Sequence, residues 1–267
     1  MNKAQLGRWC FILTTLLSMP LEADVNPYRD WESWSQHYPD YVLESAEFWI
    51  TDRTSQILLG SLLLAQPVLW KTDSVASPAI RNAGLLNDSC LRFGEAWGRM
   101  YGVALLTGVS LAGALRSSPD KTRDYQQLEY VFTTYGTTLA LAGSLKYLVG
   151  RTRPDGSDHY SFPSGHTTLA FATAEMTRQL YGNGWGAAAY ALAVVTGVER
   201  IQDERHWLGD VVTGAILSLT IARSLAPGKV AASMLEDVNL LRPVPTTPRF
   251  VLVWRLPKGM PSFTFQH

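Results

Sequence analysis

The sequence is poor in charge of either sign. Only 17% of its 267 residues are charged, compared with roughly 25% in typical soluble domains. Basic and acidic residues are equal in number, at 23 each. A chain without a positive excess has little attraction for a phosphate backbone, so we expect no nucleic-acid partner. The nine Trp and eleven Tyr residues suit a membrane interface and suit an aromatic core equally well.

Cysteine is also scarce, because the sequence contains only Cys10 and Cys90. Residues 1–23 have the features of a secretory signal peptide: Lys3 and Arg8 precede an apolar run, and the segment ends in a small residue. Cleavage would remove the first cysteine and exclude a disulfide framework. We therefore expect export to the periplasm or cell envelope. An uncleaved membrane anchor is the alternative, although the apolar run is shorter than the about 20 residues of a span.

Long uncharged runs are mostly absent as well. Most of them fall short of the about 20 apolar residues that a bilayer-crossing helix needs. Integral, peripheral and soluble forms therefore stay open, and we favour a membrane-associated protein at the periplasmic side. The uncharged runs are 17, 16, 16, 20 and 12 residues long and cover 54–70, 100–115, 130–145, 179–198 and 211–222.

The uncharged segments have a helical composition, and no segment shows the period-two alternation of half-buried strands. We predict an all-α domain over residues 54–228, a six-helix bundle with antiparallel neighbours. An aromatic arm with short helical turns should precede it, over 24–53, and an irregular tail should follow it, over 229–267, with one strand near 250–254. The predicted helices contain 54–70, 100–115 and 130–145, and then span approximately 164–181, 185–198 and 203–225.

Three short motifs lie between the third predicted helix and the sixth. In an antiparallel bundle, the end of helix three, the start of helix four, the end of helix five and the start of helix six share one end of the molecule. The spacing therefore predicts a single site built from three separated pieces. The motifs are Lys146-x6-Arg153-Pro154, Pro163-Ser164-Gly165-His166 and Arg200-x5-His206-x3-Asp210.

These residue types suit a bound phosphate. Lys146, Arg153 and Arg200 supply positive charge, and guanidinium groups match phosphate oxygens two at a time. Ser164 and Gly165 stand at a predicted helix start, where free backbone N–H groups and the helix dipole favour an anion. The five residues together predict a phosphate-binding site.

The histidines indicate transfer chemistry. His206 and Asp210 are four residues apart, so on one helix they would share a face, and the carboxylate could fix the imidazole tautomer. If Asp203 caps that helix, His206 falls in its first turn, where the dipole favours the neutral, nucleophilic ring. His166 is placed to give a proton to a leaving oxygen.

With these motifs the chain resembles the type 2 phosphatidic acid phosphatase superfamily, which also contains bacterial acid phosphatases and vanadium haloperoxidases. The family pattern is K-x6-RP, PSGH and SR-x5-H-x3-D, and this chain departs from it at Glu199, which replaces the serine. The resemblance implies that His206 is the nucleophile and forms a phosphohistidine, that Asp210 orients it, and that His166 is the acid. It implies no metal or other cofactor, and its phosphate ligands would be Lys146, Arg153, Ser164, Gly165 and Arg200.

The leading hypothesis is therefore a phosphatase that hydrolyses a phosphate monoester, most simply a lipid phosphate, outside the cytoplasm. The alternatives are an acid phosphatase for soluble monoesters, a vanadate-dependent haloperoxidase, and a non-catalytic phosphate- or lipid-binding module in which Glu199 marks lost activity. A carboxylate beside a bound phosphate is unfavourable unless it is paired. We expect Glu199 to be neutralised outside the phosphate site by Arg205 or Arg151.

Overall fold

The structure, a computed structural model, describes Tyr28 and residues 31–116 and 121–227. Within this part of the chain there are helices and no strands. The predicted signal segment and the strand near 250–254 lie outside it. The helices are α1 (Trp31–Thr51), α2 (Arg53–Asn82), α3 (Asp88–Leu115), α4 (Lys121–Val149), α5 (Gly165–Tyr181), α6 (Asn183–Gln202) and α7 (Leu208–Ser224).

All six predicted helices are present as α2 to α7, but the predicted number was wrong because α1 precedes them. The sequence pattern favoured an arm with short turns in this region. In the structure, aromatic side chains of α1 reach across to other helices. Trp34 Nε1 donates to Glu129 of α4 at 2.8 Å, Tyr41 donates to the Leu225 carbonyl at 2.7 Å and Trp49 Nε1 donates to Ser224 at 2.8 Å. Such tertiary contacts stabilise a helix beyond its own propensity.

Helix α2 is much longer than the uncharged run that predicted it, and it continues through Pro67 and Pro78. A proline inside a helix removes a backbone hydrogen bond and is destabilising. Side chains of α2 offset this by bonding to α7. Thr213 donates to Gln66 at 2.8 Å, and the backbone amides of Leu208 and Gly209 donate to Ser77 and Asp73 of α2, both at 2.9 Å.

Helix α5 lies at the centre of the bundle and packs against α3, α4, α6 and α7. Small residues on α5, such as Ala170, Ala172 and Ala174, are buried and permit close approach of its neighbours. The larger core side chains Tyr130 and Ile221 come from α4 and α7 and pack around it. The helix that begins with the second motif is therefore enclosed on several sides.

The helix ends set the position of the motifs. Gly150 closes α4 with a positive φ of 57°, a conformation that glycine adopts without strain. Helix α6 runs to Gln202, so Asp203 ends α6 and does not begin α7 as predicted. Helix α7 starts at Leu208 because the Asp210 carboxylate accepts the backbone N–H of Trp207 at 3.0 Å. A carboxylate at the third helical position caps a helix start in this way.

One described helix, α3, is long and apolar enough to cross a membrane by length and composition. Only 28% of its most apolar window is buried within the protein. The outward faces of other helices also carry large apolar residues, including Leu63 and Leu64 on α2 and Leu148 on α4, each at least 76% exposed. Exposed apolar surface of this kind is typical of an interaction with lipid or another protein.

The close packing of α7 on α5 is testable at Gly214. A Cβ atom there would lie 2.7 Å from Thr168 Oγ1 and 2.9 Å from the Ser164 carbonyl oxygen. We expect Gly214→Ala to lower the free energy of unfolding by about 1–3 kcal/mol, because the helices must separate. Gly136→Ala is the control, since nothing lies within 4 Å of that position, and alanine should stabilise the exposed helix by about 0.5–1 kcal/mol. Chemical denaturation followed by circular dichroism measures both, and equal effects would contradict the packing argument.

Candidate active site

The structure brings the three motifs together at one end of the bundle, as the spacing predicted. Lys146 Nζ donates to the Pro163 carbonyl of the second motif at 2.7 Å, and Ser164 N donates to the Asp210 carbonyl of the third at 3.1 Å. Arg153 of the first motif donates from a terminal nitrogen to the Arg205 carbonyl at 3.0 Å. Backbone carbonyls therefore connect all three motif segments directly.

His206 is positioned by the loop that precedes α5. Its Nδ1 lies 2.6 Å from the Ser161 carbonyl oxygen. Because a carbonyl oxygen can only accept, Nδ1 carries the proton and Nε2 keeps its lone pair. Burial, together with the positive charges of Lys146 and Arg153, holds the pKa of His206 well below its usual range. The ring is thus a neutral base with Nε2 available for attack.

The prediction that His206 and Asp210 lie on one helix was wrong. His206 precedes α7, so it lies outside the first turn, and its Nδ1 is 3.9 Å from the nearer Asp210 oxygen. Asp210 instead accepts from Ser161 Oγ at 2.5 Å and from Arg151 at 2.6 Å. Asp210 is therefore linked to His206 through Ser161, which binds the carboxylate with its hydroxyl and the imidazole with its carbonyl.

The predicted phosphate ligands lie close to both histidines. The positive charges of Lys146, Arg153 and Arg200 all lower the pKa of His206, and they lower that of His166 as well. Lys146 donates to the Tyr160 carbonyl at 2.7 Å, and burial lowers its own pKa to about 8. Three cations are thus held within electrostatic range of two neutral imidazoles, an arrangement that favours a multiply charged anion between them.

The start of α5 supplies the remaining predicted ligands. Ser164 takes up the extended cap conformation, and its buried hydroxyl is hydrogen-bonded with Thr167 at 2.9 Å. Gly165 is the first helical residue, and a Cβ atom there would lie 3.8 Å from Cε of Lys146. The backbone N–H groups of a first helical turn have no partner within the helix. The helix start and the lysine therefore face one another across a short gap.

Glu199 does not have the partner expected from the sequence. Its carboxylate forms a two-pronged pair with Arg200, in which the Nε–Oε2 distance is 2.5 Å, and both side chains are buried. Arg205 pairs with Asp203 and Asp155, and Arg151 pairs with Asp73 and Asp210. Burial raises the pKa of Glu199, and Arg200 opposes that rise. The carboxylate thus occupies the fork of the same guanidinium that the phosphate site would use.

Three residues that belong to this site were not found from the sequence, and a fourth, Arg151, was named there only as a possible partner of Glu199. Asp73 and Ser161 lie outside every motif, and Arg151 falls at a variable position of the first one. Arg99 lies in the π-helical turn Trp97–Tyr101 of α3 and is among the charges that lower the pKa of His166. The only available signal at Asp73 was a carboxylate shortly after an uncharged helical run, and spacing alone does not connect it with motifs that begin at Lys146.

The buried pair yields a prediction at Glu199. Removing the carboxylate with Glu199→Ser should free the Arg200 fork, so the inhibition constant for vanadate should fall about tenfold, in line with one charge-assisted contact. The same change leaves a buried guanidinium uncompensated and should lower the free energy of unfolding by about 3–5 kcal/mol. Steady-state inhibition and chemical denaturation measure the two effects. Unchanged vanadate inhibition in a folded variant would show that Arg200 does not contact the anion.

Residues 127–230 match the family model described as PAP2 superfamily. No curated protein sequence matches the chain. Two solved structures are similar to this chain at low identity. The crystal structure of LpxE from Aquifex aeolicus is 20% identical, with a TM-score of 0.47, over 56% of this chain and 92% of that one. The first transmembrane PAP2 type phosphatidylglycerolphosphate phosphatase from Bacillus subtilis is 21% identical, with a TM-score of 0.49, over 68% and 98%. The family match covers all three motifs.

Proposed function

We propose that the protein is a metal-independent phosphatase that hydrolyses a phosphate monoester through a phosphohistidine at His206. One observation carries the proposal. The cations Lys146 and Arg153 of the first motif and Arg200 of the third act on two neutral histidines. In His206, the Ser161 carbonyl accepts the Nδ1 proton and so leaves the lone pair on Nε2. A buried neutral nucleophile among fixed cations is what transfer of a phosphoryl group requires.

In the first step, His206 Nε2 attacks phosphorus and the bond from phosphorus to the ester oxygen breaks. The leaving oxygen takes a proton from His166 and departs as an alcohol. In the second step, water attacks phosphorus, His166 takes a proton from that water, and the bond to His206 breaks to release inorganic phosphate. Lys146, Arg153, Arg200 and the N–H groups at the start of α5 hold the three non-bridging oxygens throughout.

The substrate class follows from the surface around the site. Apolar side chains are exposed on α2, α3 and α4, and Tyr147 beside Lys146 is 77% exposed. We infer that the domain over residues 54–228 associates with a membrane at the periplasmic side and takes a lipid phosphate from it. Soluble monoesters remain the competing substrates, and the lipid should be preferred because its chains can rest on this apolar surface.

The function is tested by replacing the nucleophile. His206→Ala should abolish turnover of a lipid phosphate and of nitrophenyl phosphate, and no acid-labile phosphoenzyme should be trapped from a labelled substrate. His37→Ala is the matched control: it removes a histidine that lies near Glu129 and takes no part in the motifs. Retained activity in folded His206→Ala would refute the proposal. Bromide oxidation by the vanadate-loaded protein in peroxide would instead support the haloperoxidase alternative.

The role of His166 is tested by the pH dependence of kcat/KM. Burial, with the charges of Arg200 and Arg99, lowers the pKa of His166 to about 4, while a phosphate ester becomes a dianion at pH about 6. Between these values the protonated fraction of His166 falls as the dianion fraction rises, so kcat/KM should be level. Above pH 6 the ester is already a dianion and only the protonated fraction of His166 changes, so kcat/KM should fall about tenfold per pH unit.

His166→Ala should remove that decline between pH 6 and 8 and lower kcat/KM. The loss should be larger for an alkyl phosphate than for nitrophenyl phosphate, because nitrophenolate leaves without protonation. A decline that persists in the variant would assign it to another group.

A further inference from the structure

A second cavity lies between α1 and the first half of α4, away from the three motifs. Its volume is about 670 Å³, within the range of small-molecule sites. The residue Glu129 in its lining precedes Lys146 by seventeen positions on α4, which places the two about 25 Å apart along the helix. The lining includes Tyr28, then Trp31, Trp34 and Tyr38 of α1, and Tyr125 and Glu129 of α4. We call this cavity the aromatic groove.

The walls of the aromatic groove are mainly ring faces. The ring centroid of Trp34 lies 5.0 Å from that of Trp31 and 4.8 Å from that of Tyr38, so the three form a row along α1. The ring of Tyr28 is stacked at 6.2 Å with that of Tyr125. Trp31 is 76% exposed, and the side chain of Tyr125 is exposed too. Ring faces carry a negative potential, so walls of this kind attract a cation.

Glu129 adds a full negative charge. Its Oε2 accepts from the Tyr28 hydroxyl at 2.5 Å and its Oε1 accepts from Trp34 Nε1 at 2.8 Å. Within the described part of the chain no lysine or arginine lies within 4 Å of this carboxylate, and His37, at 3.7 Å, is a cation only when protonated. Helix α1 itself has four acidic residues and no lysine or arginine. A buried carboxylate is normally paired with a cation, and the groove does not supply a fixed one.

The polar atoms of the groove favour a cation without N–H groups. Both oxygens of Glu129 are already hydrogen-bonded, and its side chain is only 6% exposed. The Tyr38 hydroxyl accepts from Thr133 at 3.2 Å. A primary ammonium has three N–H donors to satisfy, as Lys121 shows: its Nζ lies 5.9 Å from the Tyr125 centroid but donates to two carbonyls at the end of α3. A trimethylammonium group needs no acceptor, only ring faces and a negative field.

We propose that the aromatic groove binds a trimethylammonium group, as found in choline and its esters. The cation would rest against the exposed rings and be attracted by the charge of Glu129, whose hydrogen bonds to Tyr28 and Trp34 hold two of those rings in place. A soluble choline compound and the headgroup of a choline lipid share this chemistry. The site is separate from His206, so its failure would leave the proposed phosphatase untouched.

The charge is isolated by comparing two ligands of one shape. Isothermal titration of the full-length protein uses choline and dimethylbutanol, the uncharged isostere in which carbon replaces nitrogen. Choline should bind at least about tenfold more tightly, because the isostere gains nothing from the ring faces or the carboxylate. Equal affinities would show an apolar cavity without selectivity for a cation and would overturn the proposal, as would the absence of choline binding.

Variants then assign the selectivity to the groove. Glu129→Gln keeps the shape and an acceptor for Trp34, and should weaken choline binding about tenfold without affecting the isostere. Trp31→Leu should weaken choline binding about three- to tenfold, and it tests the site even if Glu129→Gln folds poorly, because Trp31 is largely exposed. Glu47→Gln is the matched control, since it removes the same charge from an exposed position of α1. Equal losses in Glu47→Gln and Glu129→Gln would overturn the site, because only net charge would then matter.

Vesicles distinguish the two sources of the ligand. The full-length protein is sedimented with vesicles of phosphatidylcholine or of phosphatidylethanolamine, whose headgroups differ only in the three methyl groups on nitrogen. A preference for phosphatidylcholine that is lost in Glu129→Gln and Trp31→Leu supports the groove as a lipid headgroup site. Choline binding without a vesicle preference supports it as a site for a soluble ligand. A preference that persists in both variants would overturn the assignment to this groove.

Discussion

The site depends on one partly buried arginine held between two buried carboxylates. Arg151 donates to Asp73 on α2 at 2.8 Å and to Asp210 on α7 at 2.6 Å, and the rings of Trp70 and Trp207 flank its guanidinium at 5.4 and 5.5 Å. Asp210 in turn caps α7 and accepts from Ser161. A buried charge with its partners removed would cost about 3–5 kcal/mol. The register of α2, the first motif and α7 therefore follows from this arrangement.

The same arrangement explains how a carboxylate can help to position His206 without a hydrogen bond to the ring. If Asp210 contacted His206, the imidazole pKa would rise and the ring would be more readily protonated. Through Ser161 the carboxylate fixes the ring while its own charge is shared with Arg151. Burial is the main cause of the lowered pKa of the imidazole, and the cations Lys146, Arg153 and Arg200 lower it further. Once an anionic phosphate is bound, those cations are compensated.

The arginines around the site differ in what holds them. Arg151 is fixed by two carboxylates and is structural, while Arg200 shares its fork with the neighbouring Glu199. Arg99 has an exposed side chain and follows Gly98, which packs against His166. The three arginines therefore differ in how readily they could bind an anion. A sequence motif does not reveal this difference. It depends on which carboxylates the fold brings within 3 Å of each guanidinium.

By itself the sequence determined the helical class, the three motifs and their meeting at one end of the bundle, because hydrophobic periodicity and helix order are local properties. Only the tertiary structure decided the rest. Helix α1, the passage of α2 through two prolines, the start of α7 at Leu208 and the indirect link from Asp210 to His206 all depend on contacts between distant segments. Asp73 lies 137 positions before Asp210 in the sequence, and the two meet only through Arg151. Spacing along a chain does not predict such a pair, because burial and electrostatic compensation depend on contacts between segments that are distant in the sequence.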